Sequence, residues 1–286
     1  MKNRVMNVAL LILALALSVS IESYAGERSS DRIVSAGGSI TEIMYELGLG
    51  ENIIAVDTSS SFPPQVTALP DVGYFRSLAA EGLMSLNPQM LVAARGAGPA
   101  VVLDQIRALG VDVRLYDQSV YTLAGWKELI SDVGKDFDKE HAAQELVERV
   151  ASNISRSQET RAYRRAEINA ITVLSIGQRG PVAAGRNTVP DLLMTLAGIN
   201  NVAGNLDGYK PFSSELFAQE RIDILLVPSH VVDGLGGEAA ICENQIVKMA
   251  TSNDCNLVVM DGLLLMGLGT RLDQAVSDII DAANGV

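Results

Sequence analysis

Tyr74 and Arg76, two positions apart in DVGYFRSLAAEG (residues 71–82), are the pair with the most chemistry to offer. A free phenol ionises at about pH 10, so it acts as an oxyanion only when a cation helps it. A guanidinium two residues away is one such cation, and it also pairs with carboxylates through its fork of N–H groups. Taken alone, the same two residues better fit a tyrosine packing a turn beside a solvated arginine, since lone tyrosines are common. Tyr209 and Lys210 in GYKPF make a second phenol–cation pair. Arg95, Arg179, Arg186 and Arg271 fall on predicted loops after strands. His141 lies in a run of helix formers and is expected at the surface. His230 in VPSHVVDG follows an apolar run, where it either faces a cleft or serves the structure. Cys242 and Cys255 are the two cysteines. They fit one disulfide in an exported protein or two separate buried thiols, and without a neighbouring His they argue poorly for zinc.

Several chemistries are disfavoured. There is no G-x-S-x-G elbow, and the AGGS at 36–39 lacks the Lys of a phosphate-binding loop. An exported α/β hydrolase therefore stands as a remote alternative. The formal net charge of −12 turns the chain away from nucleic acid and anionic lipid. An anionic ligand would have to meet locally placed Arg and Lys.

These residues need elements to position them. Lys2 and Arg4, the apolar run Val5–Val19 and the small-x-small ending Ser23-Tyr24-Ala25 form the pattern of a secretory signal peptide over residues 1–25, cleaved near Ala25. Beyond it, strand and helix signals alternate. RIVSAG, NIIAVD, PQMLVAA and VDVRLYD read as strands, and SITEIMYELGLG and AVVLDQIRALG as helices. This predicts an α/β fold with mostly parallel sheets. The stretch from about Asp138 to Arg165 has no Pro or Gly, and Ala143, Leu146, Val147, Val150 and Ile154 form one apolar stripe. A helix of about 25 residues, roughly 38 Å long, is expected there.

The grammar then restarts. GSITEIMYELGLGENI (38–53) is echoed by GRNTVPDLLMTLAGINNV (185–202), and AEGLMSLNPQMLV (80–92) by SELFAQERIDILLV (214–227). Two similar lobes, 26–137 and 167–286, joined by a linker helix at 138–166, are expected, with the ligand cleft between them. One joining helix has no pair of flexible strands to act as hinges, so only a modest closure is expected.

GYFRSLAAEGLMSLNP, AGRNTVPDLLMTLAGINN, GYKPFSSE and MDGLLLMGLGTR resemble the periplasmic substrate-binding proteins of ABC importers in which a rigid helix joins the lobes. Within that group the chain is most similar to the haem-binding members; ferric-siderophore and corrinoid binders share the fold and remain the alternative. The resemblance implies a carrier and not an enzyme, with haem as cargo and Tyr74 as axial ligand of its iron. Arg76 would support that phenolate or pair with a haem propionate. Tyr209 would stack on the porphyrin, and Lys210, Arg179 or another loop arginine would meet propionates. Some members draw a second ligand, a His, from just before the AG-x-x-T stretch; this chain has Gln178 and Arg179 there. The resemblance also implies that Glu81 and Glu215, one per lobe, dock on arginines of an inner-membrane ABC permease with its ATPase, downstream of an outer-membrane haem receptor. The chain is expected to act as a monomer in the periplasm.

Overall fold

Four short strands, three of them wholly apolar but for Ser35, line up side by side in the first half. In the computed structural model, which describes residues 31–162, 168–177, 180–252 and 254–286, these are β1 (Ile33–Ala36), β2 (Ile53–Val56), β3 (Met90–Ala94) and β4 (Asp112–Tyr116). They pair in the order β2-β1-β3-β4, all parallel. Every residue of β1 and β3 is buried, as expected for strands covered on both faces.

The second half has β5 (Asn169–Gly177), β6 (Gly180–Ala184), β7 (Asn200–Asn201), β8 (Tyr209–Pro211), β9 (Ile224–Pro228) and β10 (Leu257–Met260). The parallel pairings β7-β5, β5-β9 and β9-β10 repeat the first half's order strand for strand, so the sequence echo is also an echo of topology. This sheet is not wholly parallel. β6 pairs antiparallel with β5 and with β8, because β5 turns straight back into β6 without a crossover helix.

The helix Glu140–Glu159 joins the halves. Its buried face is Ala143, Leu146, Val150 and Ile154, with Val147 packed beside it. It is 20 residues long, shorter than the roughly 25 expected. Its end is fixed from outside: Asn284 Nδ2 donates to the Thr160 carbonyl (3.1 Å), and the Ala162 N–H donates to Asn284 Oδ1 (2.7 Å). No helix among the described residues is long and apolar enough to cross a membrane.

The halves share one hydrophobic core. A continuous cluster runs from Ile33, Ile40 and Met44 through Trp126, Leu146 and Val150 to Leu193, Leu265 and Ile279. A polar seam reinforces it. The Glu42 carboxylate, 2% exposed, accepts from the Thr270 N–H and hydroxyl (both 2.8 Å) and from Arg271 Nε (3.1 Å) and a terminal nitrogen (3.2 Å). Trp126 Nε1 donates to the Gly269 carbonyl at 2.7 Å. Only glycine fits at 269, where a β-carbon would lie 2.8 Å from Glu42 Oε2. Away from the seam, Cys242 and Cys255 are joined in a disulfide, with Cα atoms 5.6 Å apart.

A cleft at the carboxyl ends of both sheets

In open α/β sheets, ligands bind outside the carboxyl ends of the strands. A cavity of about 680 Å3 opens there between the halves. From the first half come Gly37–Ser39 after β1, Thr58, Ser59 and Ser61 after β2, Tyr74–Arg76, Ala94 at the end of β3, and Gln118 and Tyr121 after β4. From the second come Val189, Tyr209, Ser229 and His230 after β9, and Asp261–Leu263 and Met266–Leu268 after β10. The volume falls within the roughly 300–1,000 Å3 of small-molecule and cofactor sites.

Buried Asp57 organises the first wall. Its carboxylate accepts from the Gly37 N–H (2.8 Å), the Ser59 N–H (3.1 Å) and hydroxyl (2.7 Å), the Ser60 hydroxyl (2.8 Å) and the Phe75 N–H (3.3 Å). One carboxylate thereby ties the turns after β1 and β2 to the Tyr74 loop. The loop is also held from its far side: the Gly98 N–H donates to the Phe75 carbonyl (2.9 Å), and the Leu78 N–H to the Gly98 carbonyl (2.7 Å). Its backbone is fixed while the Tyr74 side chain remains 47% exposed. The Tyr74 ring meets Phe75 edge-on at 4.8 Å. The Arg76 guanidinium lies 5.1 Å from the other ring centroid, that of Phe75, and among the described residues no carboxylate comes within ion-pair distance of it. Tyr74, Phe75 and Arg76 thus offer the cavity a phenol, an aromatic face and a cation.

On the opposite wall, Tyr209 stands on the edge strand β8. Desolvation pushes its phenol well above the ordinary value, and the nearby Tyr121 phenol adds to the shift. Tyr209 therefore stays neutral and offers a ring and a hydroxyl. Lys210, its neighbour on the strand, is exposed and does not line the cavity, because successive side chains on a strand point to opposite faces. Its charge instead acts on Asp207. His230 lies in the wall against Gly262, where a β-carbon would come 2.7 Å from His230 Nδ1. His141 is at the surface, 3.4 Å from Glu145 one helical turn away.

The other loop arginines among the described residues have partners of their own. Arg95 pairs with Asp117 (3.1 Å) and Arg186 with Asp207 (3.6 Å). Arg271, a candidate for an anionic ligand on sequence grounds, belongs to the interlobe seam: it pairs with Glu42 and stacks 3.8 Å from the Phe62 ring centroid. Arg179 and the amino-terminal 1–25 lie outside the described residues. Glu81 and Glu215 are both exposed, each in the first turn of a short helix, Ala80–Ser85 and Ser214–Gln219. No group of three or more His, Cys, Asp or Glu among the described residues could hold a metal ion. Asp57, Gln118 and Tyr121 were not singled out from the sequence. Asp57 had a signal, since DTSS after a strand is the pattern of a side chain capping its own turn.

Two α/β halves of like topology, fused through one helix and open at their strand ends, define a solute-binding protein. The chain belongs to the periplasmic binding protein family, whose profile matches residues 33–249. Its fold matches the periplasmic heme-binding protein RhuT from Roseiflexus sp. RS-1 with a TM-score of 0.81 and 30% identity, over 90% of this chain and 98% of that one. It matches the periplasmic heme-binding protein HutB of Vibrio cholerae with a TM-score of 0.77 and 33% identity, over 88% and 98%. A vitamin B12-binding protein from Photorhabdus laumondii is 34% identical over 101 residues, 35% of this chain and 37% of that relative. The chain spans between about a third and two thirds of the length of such curated relatives. These relatives are solute-binding proteins and not enzymes.

Proposed function

We propose that this chain binds haem in the interlobe cavity, with the Tyr74 phenolate as axial ligand of the ferric iron, and hands it to an inner-membrane ABC permease with its ATPase. The observation that carries this reading is Tyr74, held by a pinned backbone yet 47% exposed on the cavity wall, beside an Arg76 that no carboxylate among the described residues engages. Ferric iron is a hard cation suited to a phenolate oxygen, and tyrosine is a known haem ligand. Iron supplies most of the help the phenol needs to ionise, and Arg76 adds to it or receives a propionate. Tyr209 supplies a neutral ring for the porphyrin from the other lobe. Residues 1–25 direct export to the periplasm and are removed near Ala25. The carrier works as a monomer downstream of an outer-membrane haem receptor. Glu81 and Glu215 set its register on the permease through charge pairs with arginines.

The test is an absorbance titration of the purified mature protein with hemin, wild type beside Tyr74→Ala. Saturation at one haem per chain with a ferric–phenolate charge-transfer band, lost in Tyr74→Ala, supports the reading. Saturation that survives the substitution moves the ligand elsewhere, with His230 next to replace. A second reading, a corrinoid as cargo, is favoured by the alignment with vitamin B12-binding relatives. Saturable binding of cyanocobalamin but not hemin would establish it in place of haem.

A further inference from the structure

Three side-chain polar atoms among the described residues are shut off from solvent with no hydrogen-bond partner: Gln118 Nε2, Thr172 Oγ1 and Ser214 Oγ. Gln118 is the one of these residues that lines the cavity. An amide N–H buried without an acceptor destabilises the protein that carries it, whereas an apolar group of the same shape would not. Such an atom on a ligand-facing wall is accounted for if the acceptor arrives with the ligand.

The backbone around Gln118 is set in advance. The Arg95 N–H donates to the Tyr116 carbonyl at 2.7 Å, and Asp117 pairs with Arg95 at 3.1 Å. The Ser119 N–H donates to Asp117 Oδ1 at 2.9 Å, and the Thr122 N–H to the Val120 carbonyl at 2.8 Å. Gln118 thus sits between anchored neighbours just after β4, at the edge of the sheet opposite β2, the strand that precedes the Tyr74 loop. Its terminal amide turns about a soft torsion, so the donor can meet a ligand without the loop moving.

We propose that Gln118 is a specificity-determining residue of this cleft, whose side-chain N–H donates to a carboxylate oxygen of the bound porphyrin. The proposal rests on the haem reading and supplies a polar anchor that the committed arginines and the outward-facing Lys210 do not. It also implies a trade between stability and recognition: the empty protein bears a cost that the ligand removes.

The test combines thermal melts of the empty protein with titrations of hemin and of hemin dimethyl ester, whose carboxylates are blocked. Gln118→Met keeps the shape and removes the donor. It should raise the melting temperature of the empty protein and weaken hemin binding about tenfold, a loss of about 1.4 kcal/mol, with a smaller loss for the ester. Gln118→Glu sets a carboxylate against a carboxylate, and should penalise hemin more than the ester. A lower melting temperature for Gln118→Met would show that the amide is satisfied in the empty protein, and would overturn the proposal. So would equal losses for hemin and its ester, or unchanged hemin affinity in both variants. Failure of the wild type to bind hemin is a separate outcome: it removes the haem reading, and with it the ligand atom assigned to Gln118.

Discussion

Replacing Glu42 by alanine should loosen the joint between the halves more than any other single change at the seam. The carboxylate accepts four hydrogen bonds, two from Thr270 and two from Arg271, and is almost wholly buried. Without it the Arg271 side chain, 17% exposed, keeps among the described residues only Asp261 at 3.6 Å and the face of Phe62. Breaking a buried pair by removing one partner costs about 3–5 kcal/mol, part of which is the orphaned Thr270 N–H. At about 2–4 °C per kcal/mol for a chain of this size, a loss of about 4 kcal/mol lowers the melting temperature by about 8–16 °C. Differential scanning calorimetry of the wild type, Glu42→Ala, Glu42→Met, Arg271→Met and the double variant Glu42→Met/Arg271→Met measures both the cost and the coupling. The double variant should recover at least half of the single-variant loss, because paired apolar side chains replace a buried ion pair at little net cost. A shift below about 3 °C for Glu42→Ala, or additive losses in the double variant, would refute the seam as the joint's main polar contact.

Asp57→Asn puts an amide N–H among donors that now meet a carboxylate; it should lower stability by about 2 kcal/mol and weaken hemin binding even though Tyr74 is untouched, which calorimetry and titration would read together. Burial, and secondarily Asp281, raises the Asp278 carboxyl above its ordinary value. The unfolded chain therefore ionises first as pH rises through about 4, and stability present below that pH is lost above it. Asp278→Asn should raise the melting temperature more at pH 7 than at pH 4; an equal change at the two pH values would refute the raised carboxyl. Small-angle scattering of empty and hemin-loaded protein should give nearly superimposable curves, since closure would have to shear the shared core, and a large fall in radius of gyration would contradict this.

The strands and the internal echo were legible because fully buried strands appear as continuous apolar runs, and each half writes its runs in the same order. The β6–β8 extension was not. Its segments are short, carry Pro181 and Pro211 and pair across an intervening helix, so their partnership is a tertiary fact. Tyr74 entered through family resemblance, and the structure adds the pinned backbone that presents it. Lys210 stands outside the cavity lining for a local reason: read as a strand, GYKPF would already have sent Tyr209 and Lys210 to opposite faces. Arg271 could not be judged from sequence, since its partner Glu42 lies 229 residues away. Gln118 was equally hidden, because lacking an acceptor is a property of surroundings and not of residue type.

The division between the seam and the loops has a consequence for how such a protein diversifies. Glu42, Trp126 and Gly269 form a lower set that holds the halves together, while Tyr74, Gln118, Tyr209 and His230 form an upper set that lines the cavity. Drift in the upper set can change the cargo without taxing the frame, whereas a change in the lower set disables every cargo alike. Lineages that inherit the frame are free to swap one large macrocycle for another. Relatives named for heme and for vitamin B12 on one architecture are the record such a separation would leave.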